Sequence, residues 1–173
     1  MKLIFRAGFI LLAYAFTSIE IAAAQPANNI CTSENSMGFT QTLHCAGGVT
    51  IVAENGARYT LQDRSGKGGV DAVELIGGAL LVEVPKKPGG NRFQVITPQA
   101  IAAVRGTKWA VDAAENKTSV FVVNGRVAVG RRRGSHSVTL GAGEGVDVED
   151  TGPLTVKRWP SPRVSALMAR LGQ

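Results

Sequence analysis

The chain is poor in the residues from which metal and catalytic sites are built. Its 173 residues include two histidines and two cysteines. Structural zinc needs four such ligands at short, fixed spacings, and His44, His136, Cys31 and Cys45 match none of them. The sequence also lacks a GxSxG elbow, an HExxH helix, a P-loop and a His-x-His pair. Glu144 and Asp147 lie near one another on a turn and the following strand, where a solvated pair is the simpler reading. No catalytic residue, metal or cofactor is therefore expected, and the protein reads as a non-enzyme. Long apolar runs are scarce too. The longest, Ala7–Phe16, falls short of the roughly 20 residues a membrane-spanning helix requires.

That run instead has the form of a secretory signal. Lys2 and Arg6 precede it, and Ala22-Ala23-Ala24 offers the small residues that a signal peptidase accepts. Cleavage after Ala24 is expected, leaving a chain that begins at Gln25, does not span the membrane and is periplasmic or secreted. No small-residue box precedes Cys31, which argues against a lipid anchor. In an oxidising compartment the two cysteines are expected to pair as Cys31–Cys45.

What the chain has in plenty is glycine, 21 residues, against a usual share of about 7%. The glycines stand at turn positions between short β-branched runs, the mark of many short strands. Three two-residue signals suit type I′ turns. Asn55-Gly56 separates Val49–Glu54 from Ala57–Leu61, Gly77-Gly78 separates Val73–Ile76 from Ala79–Val84, and Asn124-Gly125 separates Val120–Val123 from Arg126–Val129. Read as hairpins, the second would pair Leu75 with Leu80, and the third would pair Val122 with Val127 on the core face. Asp63–Gly69 and Pro85–Asn91 read as exposed connectors. Asn116-Lys117-Thr118 satisfies a glycosylation sequon and is read as a surface turn.

The stretch from Thr97 to Asp112 carries the most information. Ala100, Ala102 and Val104 alternate on one face, and Thr107, Trp109 and Val111 resume the alternation one position out of step. A strand cannot change parity without a bulge or corner, and Gly106 permits one at least steric cost. Thr97-Pro98, Ala100, Ala102, Val104-Arg105-Gly106-Thr107, Trp109 and Val111 together resemble the central motif of the FecR domain family. The resemblance continues through Thr118, Val120, Val122, Asn124-Gly125, Val127 and Val129 to Leu140, Gly143-Glu144 and Val146, about residues 71 to 148.

The motif itself (Thr97, Pro98, Val104, Arg105, Gly106, Thr107, Trp109) is read as structural. Gly106 would make the corner, Thr107 would restart the strand, and Arg105 would bind carbonyls or a carboxylate that the bulge leaves unpaired. The resemblance implies a non-enzymatic module of the cell envelope. The family's namesake regulators join a cytoplasmic segment that controls a sigma factor to a periplasmic domain that hears an outer-membrane, TonB-dependent transducer. A signal peptide in place of the cytoplasmic segment would leave only the exported part, unable to relay a signal alone.

The chain carries a formal net charge of +6. Arg131-Arg132-Arg133 reads as a solvated basic loop. Export argues against nucleic acid, so an acidic protein face or an anionic glycan or lipid surface is the partner such a loop would meet. After the stiff Trp159-Pro160, Ser161 is placed to cap a helix and Pro162 to fit its first turn. Val164, Leu167, Met168 and Leu171 share one face of that helix, expected to pack on the β domain.

The expected organisation is a signal peptide (1–24), a disulfide-containing segment (25–48), an all-β FecR-like domain (49–150) and a linker with a C-terminal helix (151–173). The β domain would be a compact sandwich or a solenoid of short antiparallel strands and hairpins. Two functions fit: a periplasmic protein-interaction or sensory module, or a structural or glycan-associated protein of the envelope.

Overall fold

The structure is a computed structural model, described here for residues 31–36, 40–86 and 92–173. The expected signal peptide lies outside the described residues. Thirteen strands and one α-helix make up the described chain. The strands are β1 (Cys31–Ser36), β2 (Thr40–Cys45), β3 (Val49–Glu54), β4 (Arg58–Gln62), β5 (Ala72–Val84), β6 (Phe93–Ile96), β7 (Ala100–Val104), β8 (Thr107–Ala113), β9 (Lys117–Asn124), β10 (Val127–Arg131), β11 (Ser137–Leu140), β12 (Glu144–Glu149) and β13 (Lys157–Arg158). The helix, α1, covers Ser161–Arg170.

The strands form one sheet that curls over on itself into two layers. β5 belongs to both. Its first half pairs with β4 and, in parallel, with β6. Its second half pairs with β3 and β8. The first layer runs β1-β2-β3-β5-β8-β9-β12-β13 and the second β4-β5-β6-β7-β10-β11. One core lies between them, built from Ile51, Leu80, Trp109, Val111, Val120 and Val122 of the first layer and Val73, Leu75, Val95, Val104, Val127 and Val129 of the second. Phe93 and Trp109 meet across it edge to face, ring centroids 6.0 Å apart. Each such fully buried aliphatic or aromatic side chain stabilises the fold by about 1.5–3 kcal/mol.

None of the three expected hairpins forms. β5 continues as one bent strand through Gly77-Gly78, so Leu75 and Leu80 are not cross-strand partners. β3 and β4 flank Asn55-Gly56 but lie in different layers, and so do β9 and β10 around Asn124-Gly125. Each signal marks a corner at which the chain passes between layers. The local requirement, a positive φ, is met as expected: Gly56, Gly78 and Gly125 have φ of 79°, 86° and 92°. The core parity changes at the β5 corner, from Val73 and Leu75 to Leu80 and Val82. Two side chains cannot face the same core from two layers without that slip.

Ala79 and Leu81 then point out of the sandwich, where α1 covers them together with Ala110 and Phe121. Leu167 and Leu171 are the helix residues buried there, and Val164 and Met168 pack beside them. Pro160, not Ser161, occupies the N-cap position, and no side-chain hydrogen bond caps the helix. The helix is held by its tail instead. Arg170 donates to both oxygens of Glu54, at 2.7 and 2.8 Å, and to both of Asp112, at 2.7 and 3.0 Å. Near its start, Trp159 stacks on Phe121 at 5.1 Å, and the Arg163 guanidinium lies 3.5 Å from the Trp159 ring centre.

Candidate functional site

The Thr97-to-Trp109 motif spans the sandwich from one end to the other. At the first end, Thr97 closes the turn between β6 and β7: its hydroxyl accepts the Ala100 N–H at 2.9 Å. The same hydroxyl meets that of Thr118, on β9 of the opposite layer, at 2.7 Å. Thr118 donates to the Gln99 side-chain oxygen at 3.0 Å, and the Gln99 amide donates to the Glu115 carbonyl at 3.0 Å. Thr97, Gln99 and Thr118 are all buried. Such a chain of satisfied polar groups fixes the two layers against each other, because breaking any member strands the rest in a dry interior.

At the other end the chain turns from β7 into β8 at Gly106, whose φ is 70°. An added Cβ there would stand 2.8 Å from the Lys86 Cβ and 2.9 Å from its Cα. Thr107 begins β8, and its hydroxyl donates to the Arg126 carbonyl at 3.0 Å, across the neighbouring corner. A Cβ on Gly125 would lie 2.8 Å from that hydroxyl and 3.0 Å from the Gly106 carbonyl oxygen. The two corners are thus interlocked. Trp109 is wholly buried, and its indole N–H makes no hydrogen bond with the described residues. Arg105 differs from the expectation. It makes no bond to carbonyl or carboxylate among the described residues and projects into solvent, because Thr107 and the strand ladder already satisfy the corner.

The Arg131–Arg133 run is a solvated loop in part: Arg132 and Arg133 are exposed, whereas Arg131 is half-buried at the end of β10. Arg131 lies in β10 and donates from Nε to the Glu149 carbonyl at 2.8 Å, with a second bond to the Gly152 carbonyl. Arg132 donates to Glu74 Oε1 at 3.2 Å and to the Thr97 carbonyl at 3.3 Å. Arg133 is exposed and lines a hollow with Pro98, Gln99, Arg131 and Asp150. Sequence adjacency concealed this division: alternate residues of a strand and its turn face different neighbours.

Arginines scattered through the sequence come together instead. Phe93, Val104 and Val127 sit side by side on β6, β7 and β10. Arg92, Arg105 and Arg126 are the next residues beyond that row, facing outward, and all three are exposed. They line one open depression of about 420 Å³, floored by Ala103, Val104, Ala128 and Thr139. No acidic residue lines it. Register alone creates this row, so the sequence held no local signal for it.

Other polar groups singled out in the sequence have internal roles. Glu144 accepts the Gly141 N–H at 2.7 Å. Asp147 accepts from Ser119 at 2.6 Å and from Arg163 at 3.0 Å. Burial alone would push the Asp147 carboxyl up, but the Arg163 and Ser119 hydrogen bonds outweigh it and hold it below its ordinary range. His44 stands 3.7 Å from Glu34 on the exposed β1–β2 pair. Cys31 and Cys45 are bonded to each other and face one another across that pair. The described residues contain no group of three or more His, Cys, Asp or Glu placed to hold a metal ion. A further cavity, of about 320 Å³, opens between Val49, Val70, Pro85 and Phe93 under the Ser65–Gly69 loop. Asp63 shapes that loop by accepting the Gly68 and Lys67 N–H groups at 2.6 and 3.2 Å.

The architecture defines a curled two-layer β module with no assembled catalytic group among its described residues. The FecR protein family profile matches residues 40–128, more than half of the chain, and the chain belongs to that family. Comparison with curated proteins returned no match. Among solved structures, two crystal structures of a candidate anti-sigma factor from Parabacteroides distasonis share the fold. Both have a TM-score of 0.60, at 23% and 22% identity. The match covers 80% and 79% of this chain but 63% and 64% of those chains. FecR-family proteins are envelope-associated, non-enzymatic regulatory proteins. No helix among the described residues is long and apolar enough to cross a membrane.

Proposed function

We propose that this protein is an exported, non-enzymatic FecR module that acts in the periplasm by binding another envelope protein, in a sensory or regulatory role. The family match over residues 40–128 carries the reading. The structure supports it in kind: the motif's buried residues make a rigid scaffold, while its one exposed charge, Arg105, is left for contact. The anti-sigma factor description attached to the similar structures agrees with a regulatory role.

Capture from envelope extracts tests the proposal. The purified mature protein should retain a defined protein partner, and digestion of polysaccharide should not release it. Loss of all captured material on digestion would overturn the reading and favour a glycan-associated envelope protein, the alternative that the basic surface permits. Neighbouring reading frames for a sigma factor and a TonB-dependent receptor would add support.

A further inference from the structure

We propose that the arginine row Arg92–Arg105–Arg126 and the adjoining edge strand β11 form the docking site for an extended, acidic segment of the partner protein. The proposal rests on the binding-module reading above and names its surface and chemistry.

Three observations converge on this end of the molecule. The first is uncompensated charge. Arg92, Arg105 and Arg126 lie just outside the ends of β6, β7 and β10, next to the paired row Phe93, Val104 and Val127, and three like charges gathered there repel. Arg131, Arg132, Arg163 and Arg170 all bind internal carbonyls or carboxylates. Arg92, Arg105 and Arg126 bind none among the described residues, although a single Asp or Glu at Ala103, Ala128 or Thr139 would relieve them. Lys86 adds a further cation beside Gly106. A fold that gathers three such cations around one depression has there the field an anionic partner needs.

The second observation is shape. The floor of small side chains, Ala103, Ala128 and Thr139, leaves the guanidinium planes accessible from the side and lets a chain lie close to the sheet. Arginine in that setting binds carboxylates in bidentate fashion.

The third separates a polypeptide from a glycan or a lipid headgroup. Thr139, on the floor, belongs to β11, which among the described residues pairs with β10 alone. Unpaired backbone N–H and C=O groups therefore stand at the sheet edge, one strand from Arg126, two from Arg105 and three from Arg92. An added strand satisfies those groups and brings its alternate side chains within reach of Arg126 first, with Arg105 and Arg92 further in for the segment that continues over Ala128 and Ala103. A sugar or phospholipid would use the arginines only.

An array of octapeptides tests this. Alternate positions carry Glu or Asp in one set and Gln or Asn in the control set, with the remaining positions varied. The probe is the purified mature chain, compared with the R92S/R105S/R126S variant. Acidic octapeptides should bind the unaltered protein, the amide set should not, and the variant should bind at least tenfold more weakly. N-methylation of alternate backbone nitrogens in the best octapeptide should cost a similar factor, since it removes strand pairing and keeps the carboxylates. The variant should keep its melting temperature, because three repelling charges are removed; Arg126→Glu provides a second, single-site reversal. Equal binding of the acidic set to the protein and the variant would overturn the proposal. So would binding of dextran sulfate or phosphatidylglycerol vesicles with no octapeptide bound. Capture of an envelope protein by the variant at undiminished yield would overturn this site and leave the binding-module reading standing.

Discussion

Gly106→Ala is expected to cost about 1–4.5 kcal/mol of stability, beyond the cost of the same change at another positive-φ glycine. Gly106 and Gly56 have similar backbones, φ 70° and 79°. For either, an alanine forced into the left-handed region loses about 1–2 kcal/mol. Restriction of the unfolded chain returns about 0.4–1 kcal/mol, for a net loss of about 0–1.5 kcal/mol. At Gly56 nothing lies within 4 Å of the added Cβ, so the cost stops there. At Gly106 the Cβ would stand 2.8 Å from the Lys86 Cβ and 2.9 Å from its Cα. That contact is with backbone and the root of a side chain, so it cannot be relieved by a rotamer change. The end of β5 or the corner must move, at about 1–3 kcal/mol for an overpacked site. Urea unfolding of both variants in parallel measures the difference. Equal costs would refute the reasoning and show that the corner yields freely. In the structural reading of the motif, G106A also loses partner binding only in proportion to its loss of folded protein.

Three further outcomes follow from the same contacts. Arg170→Ala should destabilise by about 1–2 kcal/mol, since it unpairs two carboxylates at partly exposed sites; proteolysis near α1 should accelerate, and an unchanged urea midpoint would show that the helix is held by its apolar face alone. On acidification, Glu54 and Asp147 should both erode stability. The Arg170 hydrogen bonds, acting against burial, hold the Glu54 carboxyl below its ordinary 4.5. Asp147 is held below its ordinary 3.8. A lowered folded pKa stabilises fully above the unfolded value and is lost as pH falls through the folded one, so the loss should develop below about pH 4.5. E54Q and D147N should flatten the stability–pH profile there; an unflattened profile would assign the acid sensitivity elsewhere. Finally, Arg132→Ser should lower stability by about 1 kcal/mol through loss of the Glu74 and Thr97 bonds, and Arg133→Ser should be neutral within about 0.5 kcal/mol. Thermal melts compare them, and equal effects would contradict the division of the basic run.

The sequence by itself determined a good deal about this protein. An all-β fold followed from β-branched runs between glycines, and the pairing of Cys31 with Cys45 from their number and the expected compartment. The apolar face of α1 followed from Val164, Leu167, Met168 and Leu171. The parity slip across Arg105-Gly106-Thr107 marked a corner. These features are local: periodicity, turn chemistry and cysteine count act over a few residues and leave their trace in order.

Tertiary structure alone decided which strands meet. Asn55-Gly56, Gly77-Gly78 and Asn124-Gly125 demanded a reversal of backbone hand at one residue, and both a hairpin and a corner between layers meet that demand. The choice fell to the core. β5 could bury Val73 and Leu75 in one layer and Leu80 and Val82 in the other only by bending through Gly77-Gly78 instead of folding back. The same holds for charge. Arg131, Arg132 and Arg133 are neighbours in sequence, yet two of them are held by backbone carbonyls and by Glu74 while the third has no such partner. Arg92, Arg105 and Arg126 are distant in sequence, yet strand register sets them in one row. Pairing energies are summed over the whole sheet, so no single segment contains the information that fixes them.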